Sequence, residues 1–238
     1  MSRYNDLEDM LVVVARALGE DLLQQVAFVG GCTTGLLITD KVTQEAIRYT
    51  EDVDLITHVI GYPQWANFQK QLTAKGFSLN PDDEVICRMR LGELKVDFMP
   101  DDESILGFSN RWYSDALEHA QNTQLSDGTV IRLVTPCHFV ATKLEAYLGR
   151  GDNDPLSSHD IEDLLNIVDG REELLTEATK ASPELQGYIA QQISALLDHN
   201  DIDYAVQAAA NNNPEREALI FARLDTLAQL TSHTNGAN

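Results

Sequence analysis

The chain has 238 residues, 43% of them hydrophobic, and a formal net charge of −21. That length holds one full core, or one core with a smaller helical lobe behind it. No apolar run approaches the ~18 residues of a membrane span, and so acidic a chain is a poor nonspecific nucleic-acid binder, since such binding rests on lysines and arginines meeting phosphates.

Acids flank the short apolar run near the N-terminus on both sides, so it does not read as a secretory signal. Cys32, Cys87 and Cys137 are odd in number and widely spaced. Without metal-ligand spacing among them, reduced thiols in a cytoplasmic protein are the expectation.

In chain order, apolar residues at helical spacing predict a helix over 7–18, and a short buried strand follows over 26–29. Residues 33–38 read as the first turns of a helix whose N-terminus faces the Gly30-Gly31 pair, with its dipole and free N–H groups available to an anion. Residues 40–50 read as a polar connection and 51–57 as a strand. A helix over 63–75 starts at a proline and ends before Gly76. Strands over 84–91 and 94–99 are joined by Gly92-Glu93, and strands over 121–125 and 130–134 by Ser126-Asp127-Gly128. From Pro136 the pattern turns helical, over 137–148, 158–168, 171–179, 183–197 and 214–230. Residues 149–157 form the one conspicuous internal loop, a candidate edge of an active cleft, and 231–238 form a polar, frayed end. The expected fold class is α+β: a small mixed sheet with flanking helices over residues 1–134, then a helical lobe over 135–238.

Chemistry concentrates in the first part. Asp52 and Asp54 alternate with Val53 and Leu55, so both carboxylates point one way and the apolar residues point into a core. Adjacent carboxylates repel, and a divalent cation or a proton between them relieves the repulsion. Upstream, Gly30-Gly31 permits close backbone approach to a ligand. A backbone cradle followed by paired acids suits a metal-bound nucleoside triphosphate. Asp97 sits between Val96 and Phe98 on a later strand and supplies a third acid. The plainer reading makes these solvated acids in an acid-rich chain and the glycines an ordinary strand-to-helix turn.

The order Gly-Gly, Asp52-x-Asp54, then Asp97 resembles the nucleotidyltransferase superfamily related to DNA polymerase beta. Arg48-x-Thr50-x-Asp52-x-Asp54 is similar to its AbiEii-like branch of abortive-infection toxins. The second half adds Lys143-x-x-Ala146-x-x-x-Arg150 and then His159-Asp160-x-x-Asp163, where that family more often has Arg-Asp-x-x-Asp. The resemblance covers roughly residues 26–171. It implies a nucleotidyltransferase core with Asp52, Asp54 and Asp97 as ligands of Mg²⁺, or of Mn²⁺ in its place, and an NTP as substrate. Gly30, Gly31 and Thr33 would hold the triphosphate, and Arg48 would touch phosphate or pair with an acid. Lys143 would reach the triphosphate, and Asp160 would orient Lys143 or act near the acceptor hydroxyl. The plainer reading of the second cluster is a surface ion-pair network of Lys143, Glu145, Arg150 and Asp160.

The expected activity is therefore transfer of an NMP to a hydroxyl on a tRNA end or a protein, with release of pyrophosphate. The resemblance implies a toxin–antitoxin or phage-defence setting with a cognate antitoxin as partner. The alternative is an inactive nucleotide- or partner-binding protein on the same fold. Asp152-Asn153-Asp154 has the start of a calcium loop but neither its glycine nor its final glutamate, and reads as a polar loop.

Overall fold

The computed structural model describes residues 3–150 and 152–230. The frayed end expected over 231–238, and Gly151 of the internal loop, lie outside the described residues. The chain runs α1 (Arg3–Leu23), β1 (Val26–Val29), a 3₁₀ turn (Gly31–Thr33), α2 (Thr34–Leu37), α3 (Lys41–Ala46), β2 (Asp52–Thr57) and α4 (Gly61–Ala74). A hairpin of β3 (Arg88–Leu91) and β4 (Leu94–Pro100) follows, then α5 (Glu103–Leu106), α6 (Tyr113–Glu118), β5 (Gln121–Gln124) and β6 (Val130–Leu133). The remainder is helical: α7 (Pro136–Arg150), α8 (His159–Gly170), α9 (Leu174–Ala178), α10 (Pro183–Leu197), α11 (Ile202–Ala209) and α12 (Pro214–Ala228). The class is α+β, with a mixed six-stranded sheet. Among the described residues no helix is long and apolar enough to cross a membrane.

Two compact units divide the chain. One comprises Met1–Gly35 and Arg48–Thr135, the other Leu36–Ile47 and Pro136–Asn238. Residues 36–47 thus cluster with the second unit although they lie within the first span expected from sequence.

In the first unit the sheet order is β3-β4-β2-β1-β6-β5. β2 lies parallel to β4 and antiparallel to β1, and β1 lies parallel to β6. Val53, Leu55, Val96 and Phe98 are fully buried, as their alternation with polar residues requires. Phe98 is packed edge-on by Phe68 of α4 at 5.8 Å and by Phe77 at 5.3 Å, which fixes the apolar face of β4. Leu7, Leu11, Val14, Leu18 and Leu22 form the buried stripe of α1. The helix extends beyond the expected 7–18, but Gly19 at φ 69° breaks its geometry.

In the second unit the expected polar connection over 40–50 is corrected: it contains α3. Asp40 caps this helix, its carboxylate accepting from the Thr43 N–H at 2.8 Å. Such a short helix carries a weak periodic signal, and its stability comes from what it touches. The Thr39 and Asp40 N–H groups donate to the Gly170 carbonyl at 2.9 and 2.8 Å. Arg216 donates to Asp169, to Asp40 and to the Thr43 hydroxyl. The helix expected over 171–179 is confined to Leu174–Ala178, and α5, α6 and α11 were not foreseen.

The Thr43 and Arg216 hydrogen bonds hold the Asp40 carboxyl down at about 2, against an ordinary 3.8. Replacing Asp40 by Ala lowers stability by about 1 kcal/mol at neutral pH, the usual worth of a helix cap. Because the folded-state pKa is depressed, the contribution is complete above the unfolded value and fades as pH falls from 3.8 towards about 2. Urea unfolding of the two proteins across that window checks it. A gap undiminished at the acid end counts against the cap.

Candidate active site

Parallel pairing of β2 with β4 sets Asp54 beside Asp97 and Asp52 beside Lys95. Antiparallel pairing of β3 with β4 sets Arg88 beside Asp97. Paired residues project from the same face of a sheet, and residues two apart on a strand share a face. Asp52, Asp54, Asp97 and Arg88 therefore stand together on one face, opposite the buried Val53, Leu55, Val96 and Phe98.

Arg88 ties two of the acids. Its Nε and Nη2 donate to Asp97 Oδ1 and Oδ2 at 2.7 and 2.8 Å, a two-pronged fork. Nη2 also donates to Asp52 Oδ2 at 3.0 Å. Asp52 Oδ1 accepts from the Thr50 hydroxyl. Burial pushes the Asp97 carboxyl above the usual aspartate range, the Arg88 fork opposes the rise, and the Asp52 charge adds to it. The acids raise the Arg88 pKa further still, so its charge is permanent.

Asp54 faces the glycine turn. Val29 pairs with Asp54 across β1 and β2, which brings the next residue, Gly30, against the carboxylate. A Cβ on Gly30 would lie 1.8 Å from Asp54 Oδ2. Gly30 also has φ 80° and ψ −176°, a conformation open essentially to glycine alone. Gly30→Ala therefore costs about 2 kcal/mol in backbone strain alone, and it displaces the Asp54 carboxylate. Chemical denaturation of the two proteins measures the first effect. A substituted protein of unchanged stability would contradict this geometry.

The Thr33 hydroxyl, which the resemblance assigns to phosphate, donates to the Gly30 carbonyl at 2.8 Å and closes the turn. Gly31 begins the 3₁₀ turn, and α2 has only one turn of helix. A single turn has almost no macrodipole, so the dipole expected from a helix over 33–38 is not available here. The Thr34 hydroxyl, directly after the turn, is buried without a hydrogen-bond partner. Arg48 is half-buried, and its charge opposes the rise in the Cys32 pKa that burial, Asp54 and Asp52 produce. Arg48 thus lies in the electrostatic neighbourhood of the acids. Burial, with Asp97 and Asp54 adding, pushes the Cys87 thiol up to about 12. Both thiols stay protonated at neutral pH, which leaves carboxylate oxygens as the donors.

These residues fit a hard divalent cation. Three carboxylates on one face offer the oxygen ligands that Mg²⁺ and Mn²⁺ prefer. The Gly30 backbone, bare of a Cβ, lies directly against one of them, and the partnerless Thr34 hydroxyl adjoins the same turn.

Lys143 and Asp160 belong to the second unit. Lys143 of α7 is buried and donates to Asp160 Oδ1 at 3.1 Å and to Asp163 Oδ2 at 2.6 Å. Arg150, whose side chain is 72% exposed, reaches both Asp160 oxygens. Burial pushes the Asp160 carboxyl up, but the Lys143 and Arg150 charges outweigh it and the net shift is downward. Lys143, Asp160 and Asp163 are thus interior with Arg150 reaching in from the surface, and Glu145 instead accepts from the Tyr188 hydroxyl at 2.5 Å. His159 is exposed beside Glu162. Asp154 accepts from the Leu156 and Ser157 N–H groups in a local turn, in keeping with a polar loop.

Arg88 lies in a segment read as a strand but received no role from sequence. A signal was present. If Gly92-Glu93 is a two-residue hairpin turn, Leu91 pairs with Leu94 and Arg88 with Asp97, as observed.

No protein-family model matches the chain, and no curated protein matches it. Two solved structures from Helicobacter pylori are similar to it. One is JHP933, at 15% identity and a TM-score of 0.48, with 97% of this chain and 92% of that chain covered. The other is provisionally described as a nucleotidyltransferase, at 13% identity and a TM-score of 0.47, with 97% and 95% covered.

Proposed function

We propose that the protein is a metal-dependent nucleotidyltransferase. It moves an NMP from an NTP to a hydroxyl acceptor on a tRNA end or a protein and releases pyrophosphate. The observation that carries this reading is the convergence of Asp52, Asp54 and Asp97 on one sheet face, with the Gly30 backbone pressed against Asp54. Bound by these acids, Mg²⁺ or Mn²⁺ would neutralise triphosphate charge and lower the pKa of the attacking hydroxyl. The chain's own part is positional. β2 and β4 hold three carboxylates on a rigid sheet, and the bare Gly30 backbone makes room for the Asp54 carboxylate itself. The resemblance of Arg48-x-Thr50-x-Asp52-x-Asp54 to the AbiEii-like branch is what supports a toxin-like, phage-defence setting with a cognate antitoxin. The parts given to Lys143 and Asp160 rest on that resemblance alone.

A second reading has one specific observation in its favour. The Arg88 fork already neutralises much of the Asp97 and Asp52 charge, as expected of a nucleotide-binding protein without turnover. Incubating the chain with each labelled NTP, Mg²⁺ and total cell extract separates the two. The transferase reading expects label on RNA or protein together with released pyrophosphate. Nucleotide binding by calorimetry without either product sinks it in favour of the second.

A further inference from the structure

The carboxylates assigned to the metal are not waiting for charge: a cation of the chain's own already holds two of them. Arg88 is largely buried, with 13% of its side chain exposed. Its hold is unequal, two short hydrogen bonds to Asp97 against a single 3.0 Å contact to Asp52. The contact to Asp52 shares Nη2 with Asp97, so it is the weaker. Asp52 is also the more exposed acid, at 30% of its side chain against 9% for Asp97.

We propose that Arg88 is a positioning residue that competes with the divalent cation for Asp52. Its fork on Asp97 persists when the cation binds, while its contact to Asp52 is given up. This inference rests on the acid-site reading above. Its physical basis is that like charges a few ångströms apart in a half-buried site repel strongly. A site that carries its own cation stays folded without metal and holds metal only weakly until nucleotide phosphates bring further negative charge. Neutralising Arg88 therefore tightens metal binding, and preserving its charge in a different shape does not.

The test uses the full chain and Mn²⁺ alone, with free ion followed by electron paramagnetic resonance. Arg88→Gln, shown folded by circular dichroism, should bind Mn²⁺ about tenfold more tightly than the unaltered protein, the scale of one neighbouring charge. Arg88→Lys, which keeps the charge and loses the fork, should stay within about twofold of it on the same grounds. A second measurement needs no neutral variant. In the unaltered protein, the Arg88 Nε–H signal, identified by its loss in Arg88→Lys, should move in step with Mg²⁺ binding. Unchanged or weaker Mn²⁺ affinity in folded Arg88→Gln overturns the proposal, as does an Arg88 signal that stays still while the ion binds. Asp54→Asn distinguishes the two levels. If it binds Mn²⁺ as well as the unaltered protein does, the acid site itself is wrong. If only Asp54→Asn loses binding and Arg88→Gln gains nothing, the site stands and the competition falls.

Discussion

On the proposed transferase reading, Asp54→Asn should reduce transfer of label from an NTP by about a thousandfold, since about 4 kcal/mol of lost charge stabilisation corresponds to that change in rate. The substitution keeps the side chain's shape and removes its charge. Asp54 is only half-buried on β2, and its neighbours Val53 and Leu55, which anchor the strand, are untouched. Helix content and the unfolding transition should therefore move by no more than about 0.5 kcal/mol, as for a substitution outside the core. Asp97→Asn should lose transfer to the same degree but is a less clean test, because it also takes the fork from Arg88. The measurement is label incorporation per unit of folded protein, for the two variants beside the unaltered chain. Transfer that survives in both would end the metal-site account.

The largest effect on stability falls in the second unit. Lys143→Met should destabilise the protein by about 3–5 kcal/mol, the usual consequence of stripping a buried charge of its partner. Two carboxylates share the Lys143 ammonium, and Asp163 has only 1% of its side chain exposed. Arg150 remains to accompany Asp160 but is mostly in solvent. The loss should be insensitive to salt, unlike that of a surface pair, because little of the network lies within reach of counter-ions. Combining Lys143→Met with Asp163→Asn should restore part of the lost stability, since an amide tolerates burial better than an unpaired carboxylate. Urea unfolding followed by circular dichroism reads both results. A single substitution costing under about 1 kcal/mol would return the cluster to the class of surface ion pairs.

Much of the site was legible before any fold was known. Asp52, Asp54 and Asp97 each alternate with residues that must be buried, so their outward direction follows from the pleat of a strand. Gly30 was legible as a special position, although its reason was not. Sequence suggests close approach to a ligand, and the structure shows close approach to the Asp54 carboxylate. Arg88 was within reach through the short turn at Gly92-Glu93, because hairpin register follows from loop length. The plainer reading set the Lys143 ion-pair network on the surface, and the structure buries Lys143 and Asp163, because helical spacing gives a shared face but not its depth. Lys143 and Asp163 are interior only because α7 and α8 turn those faces inward.

The sequence by itself determined which segments are strands, which face of a strand each side chain takes, and the local pairing of β3 with β4, all matters of neighbours a few residues apart. The parallel alignment of β2 on β4, which sets Asp54 beside Asp97 across 43 residues of chain, was decided by tertiary packing. So was the grouping of Leu36–Ile47 with helices that begin at Pro136. Pairings of that kind depend on how distant apolar faces are buried together, and no local periodicity records which strand becomes the neighbour of which.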